Sequence, residues 1–314
     1  MKRVIVTGAN GFVGSNIVSA LSQEGWRVYA LDREFDNPAV ATWVRDCVER
    51  MQASCADMPA IPADALVHAA FVTATPEERG ESPEDNLRAN IEPLLEVMEY
   101  AKAEGVHRSV FISSNAVFRH TPATLVDEMR PPDPLGVYGV AKTMMEYTVD
   151  TMRRAQGHDM VCARLGGVYG SYEYRRPTRP KLSMVGQMMH DALSKGEIVV
   201  ARPAELRQWT LAMDIGRAIA ALLNADSLNH SLYNLASGER KTDLEIARMI
   251  QGLVEGLRLH LPSANESPAP SSAKLGWLDN SRLERDTGFS DWTAMSQDVL
   301  ARALTSLAGQ LRDA

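Results

Sequence analysis

Short apolar runs alternate along the chain with longer segments in which apolar residues recur at helical spacing. Val4–Val6 and Arg27–Leu31 are runs of the first kind, and Ile17, Val18 and Leu21 lie on one helical face between them. A strand buried in a parallel sheet is continuously apolar, whereas a surface helix presents an apolar residue every three or four positions. The pattern therefore predicts a strand, a helix and a second strand at the start of the chain.

The turn between the first strand and the helix reads TGANGFVG, with Gly8, Gly11 and Gly14 at regular spacing. Such a turn brings bare backbone amides and the positive end of a helix dipole to a pyrophosphate. Asp32 ends the second strand, where it can accept hydrogen bonds from ribose hydroxyls and repel a 2′-phosphate. The unit predicts a site for NAD rather than NADP, although Arg33 beside the acid could tolerate the phosphate. A glycine turn without a ligand is the alternative.

A second group of chemically capable residues follows residue 109. The strand-like run at 110–112 ends in Ser113 and Ser114, and the segment YGVAK places Tyr138 and Lys142 on one face of a helix. A tyrosine can take a proton from a sugar hydroxyl if its pKa falls from about 10 toward 7. A nearby ammonium favours the phenolate, and a serine hydroxyl can polarise the substrate oxygen. We expect Ser114, Tyr138 and Lys142 to be catalytic.

These motifs, with a later arginine, occur in an order that is typical of one family. The chain resembles the extended short-chain dehydrogenases/reductases of the NAD-dependent epimerase/dehydratase type, which includes UDP-galactose 4-epimerase. That family's turn reads T-G-x-x-G-x-x-G, so Asn10 fits the family's own glycine spacing. The resemblance implies an α/β fold, with a Rossmann-type doubly wound parallel sheet and a smaller, discontinuous C-terminal substrate domain. Residues 1–168 plus 207–236 would bind NAD, and residues 169–206 plus 237–314 would bind substrate.

The resemblance also implies particular binding residues. Asp57 matches the acid that faces adenine, and Arg207 matches the late arginine that grips the substrate. The implied cofactor-binding residues are Gly8, Asn10, Gly11, Phe12, Val13, Gly14, Asp32, Arg33, Asp57, Met58, Ala69, Ala70, Asn90, Ser113, Tyr138, Lys142 and Leu165. The implied substrate-binding residues are Thr73, Ser114, Asn115, Ala116, Gly166, Arg175 and Arg207. We expect no metal site.

Two departures from the family pattern narrow the reaction. Asn115 and Ala116 stand where 4,6-dehydratases carry an Asp–Glu pair, which argues against that elimination. Gly166 and Gly167 replace residues that contact nucleotide sugars, which enlarges the cleft and weakens the expectation of such a substrate. An NAD-dependent oxidoreductase acting on a hydroxyl of a sugar, sugar acid or nucleotide sugar is the leading hypothesis. A nucleotide-sugar 4-epimerase with recycled NAD and a non-catalytic NAD-sensing protein are the alternatives.

Charge and composition set the expectations about partners and location. A net charge of −7 over 314 residues disfavours nucleic-acid and anionic-membrane partners. The sequence shows no bilayer-spanning run and no signal sequence, and three cysteines without metal-type spacing favour the cytoplasm. The basic segment at 172–181 predicts an anionic, sugar-type substrate, and a solvated basic loop is the alternative. The stretch at 261–274, rich in Ser and Pro, predicts a surface loop.

The resemblance further implies self-association through two helices. The helices that carry Asn90 and Tyr138 would pair with their copies in a second subunit as a four-helix bundle. The candidate apolar face consists of Leu94, Leu95 and Met98 on the first helix and Met144, Met145 and Thr148 on the second. We therefore expect a homodimer.

Overall fold

A computed structural model describes residues 1–37, 43, 46–118, 124–262 and 276–312. The strands are β1 (Arg3–Thr7), β2 (Arg27–Asp32), β3 (Val48–Gln52), β4 (Ala65–His68), β5 (Arg108–Ser114), β6 (Leu125–Val126), β7 (Asp159–Leu165), β8 (Gly167–Tyr169), β9 (Glu197–Val199), β10 (Leu206–Leu211), β11 (Leu232–Leu235), β12 (Arg240–Thr242), β13 (Arg258–His260) and β14 (Trp277–Leu278). The helices are α1 (Phe12–Gln23), α2 (Pro76–Arg79), α3 (Pro83–Ala103), α4 (Val137–Gln156), α5 (Met184–Lys195), α6 (Ala212–Asn224), α7 (Asp243–Gln251), α8 (Ser281–Thr287) and α9 (Gln297–Arg312).

A parallel sheet forms the centre of the molecule. Over the described residues it has seven strands, in the order β3-β2-β1-β4-β5-β7-β11. Every pairing in it is parallel. The chain first moves from β1 to β2 and β3, then returns to place β4 on the other side of β1. This arrangement confirms the predicted doubly wound Rossmann-type sheet, and the reversal leaves a crevice at the carboxyl ends of the strands.

Alternate residues of each strand pack on opposite faces of this sheet. Val4 and Val6 belong to the core under α1 and α6, whereas Ile5 belongs to the core under α3 and α4. Gly216 permits the contact between α1 and α6, because a Cβ there would lie 2.5 Å from the Cβ of Ala20. Helices therefore cover both faces, as a parallel sheet with continuously apolar strands requires.

A second hydrophobic core lies beyond the sheet. It joins α5, α7 and α9 to Tyr169 of β8 and Trp209 of β10. Most residues of this core lie in the ranges predicted to bind substrate, whereas Trp209 lies in a range predicted to bind NAD. The division of the chain into two parts stays a proposal. Leu283 of α8, together with Phe289 and Trp292, packs on the first core instead. These three residues lie in the range that the sequence predicts to bind substrate.

Local sequence accounts for where several helices begin. The Ser82 hydroxyl accepts a hydrogen bond from the backbone N–H of Asp85 at 3.1 Å, and α3 starts at the next residue, Pro83. Thr242 and Glu245 form a capping box at the start of α7.

No helix in the described part of the chain is long and apolar enough to cross a bilayer. Residues 263–274 of the Ser/Pro-rich stretch lie outside the described residues, so the predicted loop stays a prediction.

Candidate active site

A cavity of about 1170 Å³ follows the carboxyl ends of β1, β2, β4, β5 and β7. It extends from the glycine turn past the predicted catalytic residues to Trp277 in β14. The sequence-predicted residues on its wall are Gly8, Gly11, Phe12, Val13, Asp32, Arg33, Ala69, Ala70, Thr73, Ser113, Ser114, Asn115, Tyr138, Lys142, Leu165, Gly166 and Arg207. The predicted residues that do not line it are Asn10, Gly14, Asp57, Met58, Asn90, Ala116 and Arg175.

The glycine turn forms one end of the cavity. Gly8 has a φ of 67°, and a Cβ there would lie 2.4 Å from the backbone nitrogen of Ala70. A Cβ at Gly14 would lie 2.0 Å from the carbonyl oxygen of Gly8, so α1 packs directly against the turn. Gly14 therefore allows α1 to pack against the turn, but it does not itself line the cavity. The first turn of α1 remains open to the cavity at Phe12 and Val13, as an anion site at a helix N-terminus requires.

Asp32 lies beside the turn at the end of β2. Its Oδ2 atom accepts a hydrogen bond from the backbone N–H of Asn10 at 3.0 Å. The prediction that Asp57 faces adenine finds no support in its position, because Asp57 ends a short 3₁₀ turn and is exposed. Its carboxylate accepts a hydrogen bond from Ser54 at 2.9 Å, and residues 53–56 line the cavity in its place. Met58, which follows the turn, does not line the cavity either.

The predicted catalytic residues meet where β5 ends and α4 begins. The Ser114 hydroxyl oxygen accepts a hydrogen bond from the backbone N–H of Ala116 at 3.2 Å, which leaves its own hydrogen for another acceptor. Tyr138 and Lys142 lie in the first turns of α4 and face the same cavity. Gly139 permits this approach, because a Cβ there would lie 2.4 Å from the Ala116 carbonyl oxygen. The residue types and the shared wall suit proton transfer from a bound hydroxyl.

Lys142 is buried beneath this wall. Its Nζ atom donates a hydrogen bond to the carbonyl oxygen of Ile112 at 2.6 Å and lies 3.3 Å from the centroid of the Phe71 ring. Phe71 also packs edge-on against Tyr138, with ring centroids 5.5 Å apart. Sequence reasoning missed Phe71 and Gly139, although both directly follow predicted residues, in the segments AAF and YG.

Burial dominates the protonation of both catalytic side chains. It raises the pKa of Tyr138, while a hydrogen bond with Ser114 and the charge of Arg179 oppose that shift. Burial lowers the pKa of Lys142 to about 7, against the opposing effects of Cys162 and Glu146. Lys142 is not among the groups that shift the pKa of Tyr138. The expectation that its ammonium lowers this pKa is therefore not supported. Ser114 and Arg179 are the groups that favour the phenolate.

Asn90 acts on the site through the backbone. Its Oδ1 atom accepts a hydrogen bond from the N–H of Val72 at 2.7 Å, and its Nδ2 atom donates to the carbonyl of Val72 at 3.2 Å. These bonds fix the loop after β4, which carries Ala69, Ala70 and Phe71 along the cavity. Asn90 is thus a buried support for the wall and not part of its surface.

A buried ion pair holds the catalytic elements together. Glu146, one helical turn after Lys142, accepts two hydrogen bonds from Arg164, at 2.6 and 3.0 Å. It also accepts one from the Ser113 hydroxyl at 2.6 Å. The three side chains join α4, β7 and β5, so the strand ends that carry Ser114 and Leu165 keep their places relative to Lys142.

Gly166, Arg207 and Trp277 line the far end of the cavity. Arg207 lines it and donates a hydrogen bond from Nε to Asp243 at 2.9 Å. A Cβ at Gly166 would make only ordinary contacts, the nearest at 3.6 Å, so the missing side chain leaves space in the cleft. A Cβ at Gly167 would lie 2.6 Å from the carbonyl oxygen of Gln208, so the pairing of β8 with β10 requires glycine there.

The basic segment presents different arginines from the one predicted. Arg175 points to α5, where it donates a hydrogen bond to Gln187 at 2.8 Å. Arg176 and Arg179 line the cavity instead. Their backbones exchange hydrogen bonds of 3.0 and 2.8 Å around a tight turn, and residues paired in this way present their side chains on one face. Pro177 in the sequence RPTR is the signal that could have predicted this turn.

A doubly wound parallel sheet with a glycine turn and a Ser–Tyr–Lys set in one cleft defines an extended short-chain dehydrogenase/reductase. The model of the NAD dependent epimerase/dehydratase family matches residues 4–236. The chain belongs to this family, it is an enzyme, and NAD is its cofactor. The cradle at Gly8 and Gly14, which leaves no room for a Cβ, and the acid at Asp32 fit that cofactor.

Individual relatives are distant. UDP-glucose 4-epimerase from Neisseria meningitidis serogroup C is 24% identical over 315 residues, which cover 88% of this chain and 92% of that protein. dTDP-glucose 4,6-dehydratase from Streptomyces niveus is 26% identical over 320 residues, covering 95% and 90%. The solved structure of UDP-N-acetylglucosamine 4-epimerase from Methanobrevibacter ruminantium M1, in complex with UDP-N-acetylmuramic acid, has a TM-score of 0.83 at 20% identity. It covers 98% of this chain and 99% of that one. Its similarity shows the fold.

Proposed function

We propose that this enzyme oxidises a hydroxyl-bearing carbon of an anionic, sugar-type substrate, with Tyr138 as the base. The observation that carries the proposal is the convergence of Ser114, Tyr138 and Lys142 on one stretch of the cavity that also holds the glycine turn. Tyr138 would accept the proton of the substrate hydroxyl while Ser114 donates a hydrogen bond to the same oxygen. NAD, when bound, supplies the acceptor for the hydride that leaves the carbon.

Lys142 would serve this reaction as a proton carrier. Burial lowers its pKa to about 7, so the amine can accept and release a proton near neutral pH. Its Nζ atom lies 5.7 Å from the centroid of the Tyr138 ring. We therefore assign Lys142 the exchange of the proton that Tyr138 takes up, and we assign Ser114 the orientation of the substrate oxygen.

The substrate proposal rests on the far end of the cavity. Arg207 contributes a guanidinium to the wall there, and Gly166 leaves room beside it. Trp277 lines the same end, with the guanidinium of Arg240 stacked 3.6 Å from the ring centroid. An anionic sugar, either a sugar acid or a nucleotide-linked sugar, suits this composition. The names of the relatives, a UDP-glucose 4-epimerase and a dTDP-glucose 4,6-dehydratase, support the nucleotide-linked class.

Net oxidation and 4-epimerisation are separated by one observable. A dehydrogenase releases NADH in proportion to substrate consumed, whereas an epimerase returns the hydride and shows no net gain of absorbance from NADH. A panel of uronates, aldonates and nucleotide sugars, followed by NADH absorbance and by sugar NMR, identifies both the substrate and the reaction. Elimination to a 4,6-dehydrated product would contradict the inference drawn from Asn115 and Ala116.

Replacement of Tyr138 by phenylalanine tests the assigned base. Tyr138→Phe keeps the edge-on packing against Phe71 but removes the ionisable oxygen, so we expect at least about a 100-fold loss of turnover with unchanged NAD affinity. Ser114→Ala should also slow turnover without changing cofactor affinity. Tyr147→Phe, on the exposed side of the same helix, is the matched control and should retain full activity. Near-normal turnover of Tyr138→Phe would show that the proton goes to another group.

The proposed homodimer uses only part of the predicted face, because Leu95 and Met144 of that face are exposed. The residues Leu94, Met98 and Met145 were expected at the interface, which is wrong, because they are buried in the core of their own chain. The exposed apolar residues on the same two helices are Leu95 of α3 and Val140, Met144 and Tyr147 of α4. The last three are spaced as one helical stripe, which supports pairing with a second copy. Light scattering at micromolar concentration should give the mass of a dimer.

The cytoplasm is the proposed location. Cys47, Cys55 and Cys162 are all free thiols, which fits a reducing compartment. Cys162 lies fully buried in the core beside α3 and α4, as expected of a packing residue.

A further inference from the structure

The basic segment lies along the cofactor end of the cavity. We call residues 171–181, between β8 and α5, the strap. The Tyr174 hydroxyl donates a hydrogen bond to Asp36 Oδ1 at 2.6 Å and accepts one from Asn10 Nδ2 at 3.3 Å. Asn10 belongs to the glycine turn, and Asp36 follows the strand that ends in Asp32. The strap therefore contacts two parts of the dinucleotide-binding unit at once.

Arg176 extends this contact to the acid at the end of β2. Its guanidinium lies 3.6 Å from Asp32 Oδ2 and 3.5 Å from Asp36 Oδ1, and the side chain is 13% exposed. Partial burial raises the pKa of Asp36, but Tyr174, Arg176 and Asn10 outweigh it, and the pKa is lowered. The strap therefore contacts the ionised carboxylate of Asp36. This contact lies close to Asp32, where the ribose of NAD is expected to bind.

Arg179 brings the second positive charge of the strap to the glycine turn. Its guanidinium carbon lies 5.1 Å from the ring centroid of Phe12, the first residue of α1. Glu173, whose side chain is 3% exposed, forms an ion pair with Arg179 and also accepts hydrogen bonds from Ser183. This buried carboxylate holds the guanidinium near the helix N-terminus, where a pyrophosphate binds.

Backbone contacts fix the strap on both sides of the cavity. The carbonyl of Thr178 accepts hydrogen bonds from the N–H groups of Thr73 and Ala74, at 2.9 and 3.0 Å, in the loop after β4. On the other side, Asn16 donates to the carbonyl of Ser171 at 2.8 Å. Tyr172, where the strap begins, has a φ of 69°, a strained value for a residue with a side chain. The strap therefore crosses the cofactor end as a bridge attached at both ends.

We infer that the strap is a cofactor clamp, which retains NAD on the enzyme with Arg176 at the adenosine ribose and Arg179 at the pyrophosphate. The inference rests on the proposed function only for the place of NAD in the cavity. It changes the role expected for the basic segment from substrate recognition to cofactor retention. A cofactor that leaves slowly suits a reaction that returns its hydride within one substrate visit, and it therefore favours the epimerase alternative. A net dehydrogenase must exchange NADH in every turnover.

The rate of cofactor release tests this inference without any substrate. The full-length enzyme is loaded with NADH and mixed with a large excess of NAD⁺, and the decay of bound NADH fluorescence gives the release rate. The double variant Tyr174→Phe/Arg176→Ala should release NADH at least about tenfold faster. Asp36→Asn removes the negative charge that Tyr174 and Arg176 contact, and it should also accelerate NADH release. Arg175→Ala is the matched control, because the neighbouring arginine contacts α5, and its release rate should stay within about twofold of wild type.

Two results would overturn the inference. One is an unchanged release rate in both the double variant and Asp36→Asn. The other is an equal acceleration in Arg175→Ala, which would mean that any disturbance of the segment has the same effect. If the strap binds substrate, the double variant will raise KM while NADH release is unchanged, and this also contradicts the clamp. Tyr138→Phe should release NADH at the wild-type rate, so failure of the proposed base and failure of the clamp are seen separately.

Discussion

The two walls of the cofactor end are built in different ways. On the sheet side, the groups that face the cavity are backbone amides and short side chains at strand ends, and Gly8 and Gly14 fix their positions by close backbone contact. On the strap side, the groups are the long side chains of Arg176 and Arg179, which are positioned by carboxylates. Close packing fixes the first wall, whereas ion pairs and hydrogen bonds hold the second.

This difference shows how one site can combine precise placement of its cofactor with slow release of it. The first wall determines where the dinucleotide lies, and the strap determines how long it stays. A change in the first wall should therefore alter stability and affinity together. A change in the strap should alter the release rate with little effect on the fold.

The largest expected effect comes from one methyl group on the sheet side. Gly14→Ala places a Cβ 2.0 Å from the Gly8 carbonyl oxygen, so α1 must move away from the turn. We expect a loss of about 1 to 3 kcal/mol in unfolding free energy, measured by urea denaturation, with weaker NAD binding. Gly309→Ala, in α9, is the matched helical control, because a Cβ there meets no atom within 4 Å. It should gain up to about 1 kcal/mol from helix propensity. Equal stabilities of the two variants would contradict the close packing of this wall.

The preference for NAD⁺ over NADP⁺ depends on both walls, because Asp32 belongs to the sheet side and Arg176 to the strap side. We expect NAD⁺ to bind at least about tenfold more tightly than NADP⁺, a difference of about 1.4 kcal/mol, since the acid repels a 2′-phosphate. Asp32→Asn should narrow this ratio, and Arg176→Ala should widen it by removing a cation near the phosphate position. Calorimetric titration of each variant with both cofactors gives the ratios. Equal affinities in the wild type would mean that Arg33 and Arg176 outweigh the acid.

A further prediction concerns the buried amine of Lys142 in the sheet-side wall. The pKa of Lys142 is about 7 in the fold against 10.5 for a free lysine, so the unfolded chain binds more protons between these values. The contribution of Lys142 to stability therefore rises with pH from 7 to 10.5, and below pH 7 its penalty is constant. Relative to wild type, Lys142→Met should gain at least about 1 kcal/mol more in unfolding free energy at pH 7 than at pH 10. Urea unfolding at the two pH values measures this, and a pH-independent difference would show that Lys142 stays charged.

The sheet side of the site was predictable because its residues follow local rules. A strand, a glycine turn and a helix place Gly8, Gly11 and Asp32 without help from the rest of the chain, and the spacing of Tyr138 and Lys142 determines their common face. The position of Asp57 could not be obtained in this way. The 3₁₀ turn at Cys55–Asp57 determines which side chains of residues 53–58 face the cavity. Its sequence, CAD, contains no residue that strongly favours a turn.

Two other predictions failed for reasons of tertiary packing. Helical spacing identifies apolar faces, but it does not say whether a face meets its own sheet or a second subunit. Leu94 and Met145 are therefore buried in their own chain, while Leu95 and Met144 are exposed. In the basic segment, three arginines within five residues have equal charge, and only the turn at Pro177 separates the two that enter the cavity from Arg175.

The contact between α1 and α6 has a consequence for how the chain folds. Helix α1 begins at Phe12, whereas its packing partner α6 begins at Ala212, about two-thirds of the way along the 314 residues. The last strand of the large sheet, β11, comes later still. Contacts so distant in sequence require a large loop to close before they stabilise anything, and such topologies fold slowly. The nucleotide cradle is encoded within 32 residues, yet during synthesis α1 lacks its helical partner α6 until most of the protein has left the ribosome.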